Sequence, residues 1–328
     1  MMPTASTPAS AAALLAARPL AACSVWAWDH IGVEIRRADG SVIACEVVGA
    51  HDARPLLLCH GLADSRLSAH LFADAAQALG WRVVAPDRPG TGGTGPRRLR
   101  RLVDWVEDAA RVLDALGIGS AAVLGVSGGG PFAAACAAGM PDRVSTLTLV
   151  SALGQPGWPT RGMALGERRS LDLARHAPAF GGWFLGRLAV LARRSPQAFL
   201  RLATSELPAI DRRALDTPEM RDAFLASYVE AFRHGSWGVA QDLRVLTQPW
   251  GFQLGSIQVP TSIHHGDADT TVPVRHARLF AEVIPGAQLH IHSGHGHFSI
   301  QDAARELLAQ PPSGTADAVD ARPSPSGR

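Results

Sequence analysis

The chain has 328 residues, a length suited to about two ordinary domains or one large domain with an insertion. Apolar residues make up 47% and charged residues 18%, and 33 glycines with 23 prolines stay short of a low-complexity composition, so a folded protein with a sizeable core is expected. The formal net charge is +2 and the arginines, which supply every basic residue, are spread along the chain, so no nucleic-acid partner is implied.

Residues 1–28 are rich in Ala, Ser, Thr and Pro, and residues 311–328 in Pro, Gly and Ser; both read as loose tails. Arg18 and Pro19 break the Ala/Leu-rich start before it approaches the roughly 18 apolar residues of a membrane helix, so no membrane insertion is expected. LAAC at 20–23 looks like a lipoprotein cleavage site, but no basic residue precedes its short apolar stretch. The expected location is therefore cytoplasmic, with export through Cys23 as the alternative. Cys23, Cys45, Cys59 and Cys136 are too few and too unevenly spaced for a disulfide framework or a C-x-x-C site, and reduced, buried thiols are the default.

Between the tails, short β-branched runs alternate with helical periods. Strands are predicted near 31–37, 42–48 and 55–59, a helix near 66–79, a strand at 81–85, a helix over 99–116, a strand at 120–126, a helix from Gly128 to about Gly139, and a strand at 144–150. Strand then helix, repeated, predicts a mostly parallel sheet flanked by helices. From about 155 to 250 only helical periods occur, punctuated by prolines. The strand–helix rhythm then returns with a strand at 259–265, a helix at 275–283, a strand at 287–292 and a helix near 298–309. The helical stretch thus interrupts one sheet domain, and such an element is expected over the carboxyl edge of the sheet, where open α/β folds bind ligands.

The sharpest local signal is LGVSGGG at 124–130, where a strand ends and a helix begins. Gly125, Ser127 and Gly129 form G-x-S-x-G: a nucleophile on a strained turn needs neighbours without side chains and stands exposed at a helix N-terminus. No Lys follows the glycines and no G-x-G-x-x-G is present, which disfavours a phosphate loop. A serine hydroxyl needs a base, and the base needs a carboxylate to hold its tautomer. GDADTTVP (266–273) and SGHGHF (293–298) supply acids and imidazoles after successive strands, in the order Ser, Asp, His.

On these residues the chain resembles an α/β-hydrolase over about residues 31–308. The resemblance implies a core over 29–153 and 251–310 with an all-helical cap over 154–250. In that superfamily the acid lies in G-x-x-D-x-x-V-P, which fits Gly266, Asp269, Val272 and Pro273 and selects Asp269 ahead of Asp267. The base lies in G-x-G-H-F, which fits Gly294, Gly296, His297 and Phe298 and selects His297 ahead of His295. Backbone N–H donors for a tetrahedral intermediate are then expected from Gly128 and, in the loop after CHG, from Leu62, with His60 a structural loop residue. HGLADSR (60–66) and PDRPGTGGTG (86–95) are similar to bacterial α/β-hydrolases with an HG-x-P-x-S-R loop, although Ala63 stands where that branch has Pro. A single Gly, in place of H-G-G-G, sets the chain apart from the hormone-sensitive-lipase branch. Ser127, where haloalkane dehalogenases and epoxide hydrolases carry Asp, argues against alkyl-enzyme chemistry.

The resemblance implies a serine hydrolase that cleaves a carboxylic ester or related acyl small molecule without a cofactor. The alternatives on the same residues are a proline-iminopeptidase-like enzyme using Glu206, Glu219 or Glu230 for a substrate amine, a C–C hydrolase or perhydrolase, and a ligand-binding protein without turnover. HIHSGHGH (290–297) invites a metal reading, but no carboxylate falls within it and His297 is already accounted for, so no metal is expected. His264 and His265 end a strand and read as packing residues.

Overall fold

A computed structural model describes residues 30–300 and Leu308. The extension before His30 with Cys23, the tail after residue 310 and, Leu308 aside, the expected last helix beyond residue 300 lie outside the described residues. Eight strands form one sheet: β1 (His30–Arg36), β2 (Val42–Val48), β3 (Arg54–Cys59), β4 (Trp81–Pro86), β5 (Ala121–Val126), β6 (Val144–Val150), β7 (Thr261–Gly266) and β8 (Gln288–His292). Their order is β1-β2-β4-β3-β5-β6-β7-β8; β1, β2 and β4 pair antiparallel, and β4 through β8 run parallel.

Because side chains alternate across a strand, the central strands supply two cores at once. Leu57 and Val123 pack with Trp105, Phe132, Leu147 and Phe280 on one face. Leu56, Leu58, Ala122 and Leu124 pack with Phe72 and Val83 on the other. The helices of the core are α1 (Ala73–Ala78), α2 (Val106–Ala115) and α3 (Gly130–Gly139), with α10 (Arg275–Val283) after β7. α3 is built from Gly, Ala, Pro, Phe and Cys and is buried on nearly every side, so it lies against β5 and β6 at the centre.

Two expected helices are shorter than their apolar periods. Residues 66–72 form a 3₁₀ turn before α1, and 102–105 another before α2. In the second case the Asp104 carboxylate accepts the N–H groups of Arg100 and Arg101 at 2.7 and 3.1 Å, which satisfies the backbone in a turn where a helix over 99–116 would have continued.

Between β6 and β7 come six helices: α4 (Leu165–His176), α5 (Pro178–Arg194), α6 (Pro196–Ala203), α7 (Ala209–Ala214), α8 (Pro218–Ala231) and α9 (Trp237–Leu246). Prolines at the first position of α5, α6 and α8 start these helices where a missing N–H costs nothing. The insertion is tied to the sheet loops by buried polar contacts: Ser227 to Ser65 at 2.9 Å, Glu230 to Arg66 at 2.7 Å, and Asp242 to Arg88 at 2.8 Å. Among the described residues, no helix is long and apolar enough to cross a membrane. Cys45, Cys59 and Cys136 are free and buried.

Candidate active site

β5 turns directly into a 3₁₀ turn and α3, with Ser127 at φ +54° between them. An L-residue holds that left-handed conformation at a cost of roughly 1–2 kcal/mol, so the surroundings must enforce it. They do so by close backbone approach: a Cβ on Gly129 would lie 2.1 Å from the carbonyl oxygen of Cys59 on β3. Only glycine lets the turn sit that close, and Ser127 is left at the carboxyl edge of the sheet.

The loops after β7 and β8 bring Asp269 and His297 to the same place. His297 Nε2 lies 3.0 Å from Ser127 Oγ, and His297 Nδ1 lies 2.8 Å from Asp269 Oδ2. The other carboxylate oxygen of Asp269 accepts the N–H groups of Thr271 and Val272, each at 2.8 Å. Burial opposes ionisation of Asp269, but the His297 charge, with hydrogen bonds from His265 and His297, holds its carboxyl well below the usual carboxylate range. Burial likewise disfavours imidazolium at His297, yet the Asp269 charge and hydrogen bond, with Asp211 and Glu167 behind them, raise its pKa. With the Nδ1 proton held by the carboxylate, Nε2 is free to accept the hydroxyl proton of Ser127.

Asp267 and His295 stand outside this relay. The Asp267 carboxylate accepts from Gly294 N at 2.7 Å and Ser293 Oγ at 3.1 Å, pinning the loop that carries His297. His295 Nδ1 lies 3.2 Å from the Ser293 carbonyl, and its ring stands edge-on to His292.

Leu62 and Gly128 lie side by side: a Cβ on Gly128 would meet Leu62 N at 3.1 Å. The loop that carries Leu62 is held from beneath by Arg88, whose guanidinium donates to the carbonyls of His60 and Gly61 at 2.6 Å each while pairing with the buried carboxylate of Asp242. Asp64 adds hydrogen bonds from Gly61 N and Ser65 N, and one from the Ser227 hydroxyl. Ala63 is left-handed, at φ +55°. Proline, fixed near −65°, cannot adopt that angle, so this loop has its own conformation where the similar branch carries Pro. His60 spends both ring nitrogens locally, on Gly61 O at 3.0 Å and Arg88 N at 3.4 Å; burial and the Arg88 charge keep its pKa well below the usual value.

Two further residues support the relay. Asp211 of α7 accepts the backbone N–H groups of His297, Phe298 and Ser299, each at 2.9 Å. An aspartate inside a helix-only stretch carries no local sign of that role. His265, expected as a packing residue, is fully buried, and its Nε2 reaches Val272 O at 2.8 Å and Asp269 Oδ2 at 3.3 Å. The HHG run ending β7, just before the acid loop, was its only signal.

His290 and His292 of the 290–297 run both meet His264: the His290 ring stacks on it at 4.6 Å between centroids, and His292 lies 3.1 Å away between ring nitrogens. Burial and these two neighbours push the His264 pKa down to about 3. The trio among the described residues whose ligand atoms come within 4.8 Å of one another is elsewhere, at His30, Glu46 and His70. Arg66 stands 3.8 Å from Glu46 there and already supplies a positive charge.

The family model for the alpha/beta hydrolase fold matches residues 54–304, which span strands β3 to β8 and the relay. The chain belongs to the α/β-hydrolase family. A poly(3-hydroxyalkanoate) depolymerase of Ectopseudomonas oleovorans is 31% identical to this hydrolase over 247 residues, covering 72% of this chain and 76% of that one. A 2-hydroxymuconate semialdehyde hydrolase of Pseudomonas putida is 28% identical over 245 residues, covering 68% and 73%. Among solved structures, an esterase from Exiguobacterium antarcticum shares the fold with a TM-score of 0.63 at 22% identity, covering 84% of this chain and 96% of that one.

Proposed function

We propose that this α/β-hydrolase cleaves a carboxylic ester or related acyl small molecule through an acyl-enzyme on Ser127. The observation that carries the reading is the unbroken line of hydrogen bonds from Ser127 Oγ through His297 to Asp269. Ser127 Oγ attacks the acyl carbon as His297 Nε2 takes its proton, and Asp269 stabilises the imidazolium that forms. Charge builds on the acyl oxygen, where the backbone N–H groups of Leu62 and Gly128 receive it. The imidazolium then protonates the leaving alkoxide, and the bond to the alcohol breaks. Water deprotonated by His297 attacks the acyl-enzyme, and Ser127 leaves with the proton, which restores the free enzyme.

The helical insertion acts as a cap that shapes the acyl or alcohol pocket, with residues 154–250 as its extent. An ester is favoured over a peptide amine because two of the three acids considered for amine binding are engaged: Glu206 accepts from Gly166 N at 2.8 Å and Glu230 pairs with Arg66. C–C hydrolysis is the second reading, favoured by the likeness to the semialdehyde hydrolase, and it uses the same three side chains. A panel of p-nitrophenyl esters of increasing chain length, run beside a vinylogous 1,5-diketone, separates the two. Ester turnover that falls about 10⁴-fold or more in Ser127→Ala supports the proposal. Turnover of the diketone alone favours the second reading, and turnover of neither by a folded protein contradicts both.

A further inference from the structure

A cavity of ≈ 340 Å³ opens between α4, α5 and α9, and neither Ser127, His297, Leu62 nor Gly128 lines it. Its size is within the range of small-molecule sites. Leu173, Leu185 and Leu243 form apolar walls. Phe184 and Trp237 stand at the lining 42% and 46% exposed, large aromatics that a protein ordinarily buries unless something else covers them. Arg98 and Arg244 also line the cavity. Arg244 donates to the carbonyl of Leu99, which sets its guanidinium beside residue 98. Arg98, exposed, has no ion pair among the described residues. Two like charges lining one apolar hollow are the complement of an anionic head on an apolar tail. The surrounding field has the same sign: from Leu165 to Ala203 there are seven arginines against Glu167 and Asp172.

We propose that this cavity is a second binding site, separate from Ser127, for an amphipathic carboxylate whose chain lies against Leu173, Leu185 and Leu243 and whose head pairs with Arg98 and Arg244. The site does not depend on the chemistry at Ser127, so it stands or falls apart from the proposed function.

Dodecanoate, kept below its micelle concentration, is the probe, titrated calorimetrically into Ser127→Ala so that nothing is turned over. The expected result is one site, with dodecanol at least tenfold weaker than dodecanoate. Arg98→Gln combined with Arg244→Gln lowers dodecanoate affinity at least tenfold. A Cβ on Gly182 would meet nothing within 4 Å, so Gly182→Leu adds bulk without disturbing the backbone and is expected to block binding. In an otherwise wild-type chain, Gly182→Leu retains turnover of a short p-nitrophenyl ester. Absence of dodecanoate binding, equal binding of dodecanol, or affinity unchanged in the cavity-filled variant overturns the proposal. If the double arginine variant does not fold, the Gly182→Leu and dodecanol results decide.

Discussion

His297 sets the pH dependence of the chemistry. Its pKa is raised against burial by the Asp269 charge, and only the neutral ring can accept the Ser127 proton, so activity is lost as pH falls. The acid limb of kcat/KM is therefore expected to have its midpoint above the ~6.5 of a free imidazole. Asp211 contributes to the same rise, so Asp211→Asn is expected to move that midpoint to lower pH while loosening the loop at residues 297–299. A pH–rate profile for both proteins checks this, and an unmoved or higher midpoint in the variant contradicts it. Ala63→Pro, the residue of the similar branch, cannot reach φ +55° and is expected to cost about 3 kcal/mol or more, with loss of ester turnover. Ala63→Gly relieves the left-handed strain and is expected to add up to about 1 kcal/mol, as read by thermal melting. Ser127 was legible from the glycine-rich turn at its strand end, whereas Asp269 and His297 were picked out from the acids and histidines of their loops by the patterns of the family the chain resembles. Asp211 and His265 were not legible: Asp211 bonds a loop far along the chain, which leaves no local pattern, and His265 reads as a packing residue at a strand end although its partners are only four and seven residues on.

Among the elements, the turn after β3 is held by partners remote in the chain. Arg88 is 1% exposed and bonds His60 O, Gly61 O and Asp242 together. Replacing it with Met leaves the Asp242 carboxylate buried without its counter-charge, a loss of roughly 3–5 kcal/mol in unfolding free energy. Pairing Arg88→Met with Asp242→Leu is expected to recover part of that loss without restoring turnover, since the two carbonyls stay unsupported. Urea midpoints at constant slope measure the first effect, and full recovery of both stability and rate by the pair contradicts the assignment. Strand positions were readable almost to the residue, since β-branched runs flanked by Gly and Pro admit few alternatives. The helices starting near 66 and 99 were overextended because Ser65 and Asp104 satisfy backbone N–H groups in 3₁₀ turns that an apolar period does not reveal.

At the scale of the molecule, the sheet and the insertion are one structure. The insertion supplies Asp211 to the His297 loop, Ser227 and Glu230 to the loop after β3, and Asp242 to Arg88. Removal of residues 154–250 is thus expected to give a poorly folded chain without ester turnover, followed by circular dichroism and rate assay; a folded core with wild-type turnover of a short ester contradicts it. The parallel sheet and the order Ser, Asp, His were legible together, because residues at the carboxyl ends of β5, β7 and β8 must converge on one edge. The path of the insertion was not, since helical periods give the number and faces of helices but not which sheet loop each one grips.

The proposed chemistry turns on Ser127 being an activated nucleophile. Treating the folded protein and its Ser127→Ala variant with a fluorophosphonate at neutral pH, then mapping the adduct by mass spectrometry, tests it most directly. A single adduct on Ser127 that is absent from the variant is the predicted result. No adduct on the folded wild-type protein, or labelling that persists in the variant, would contradict it.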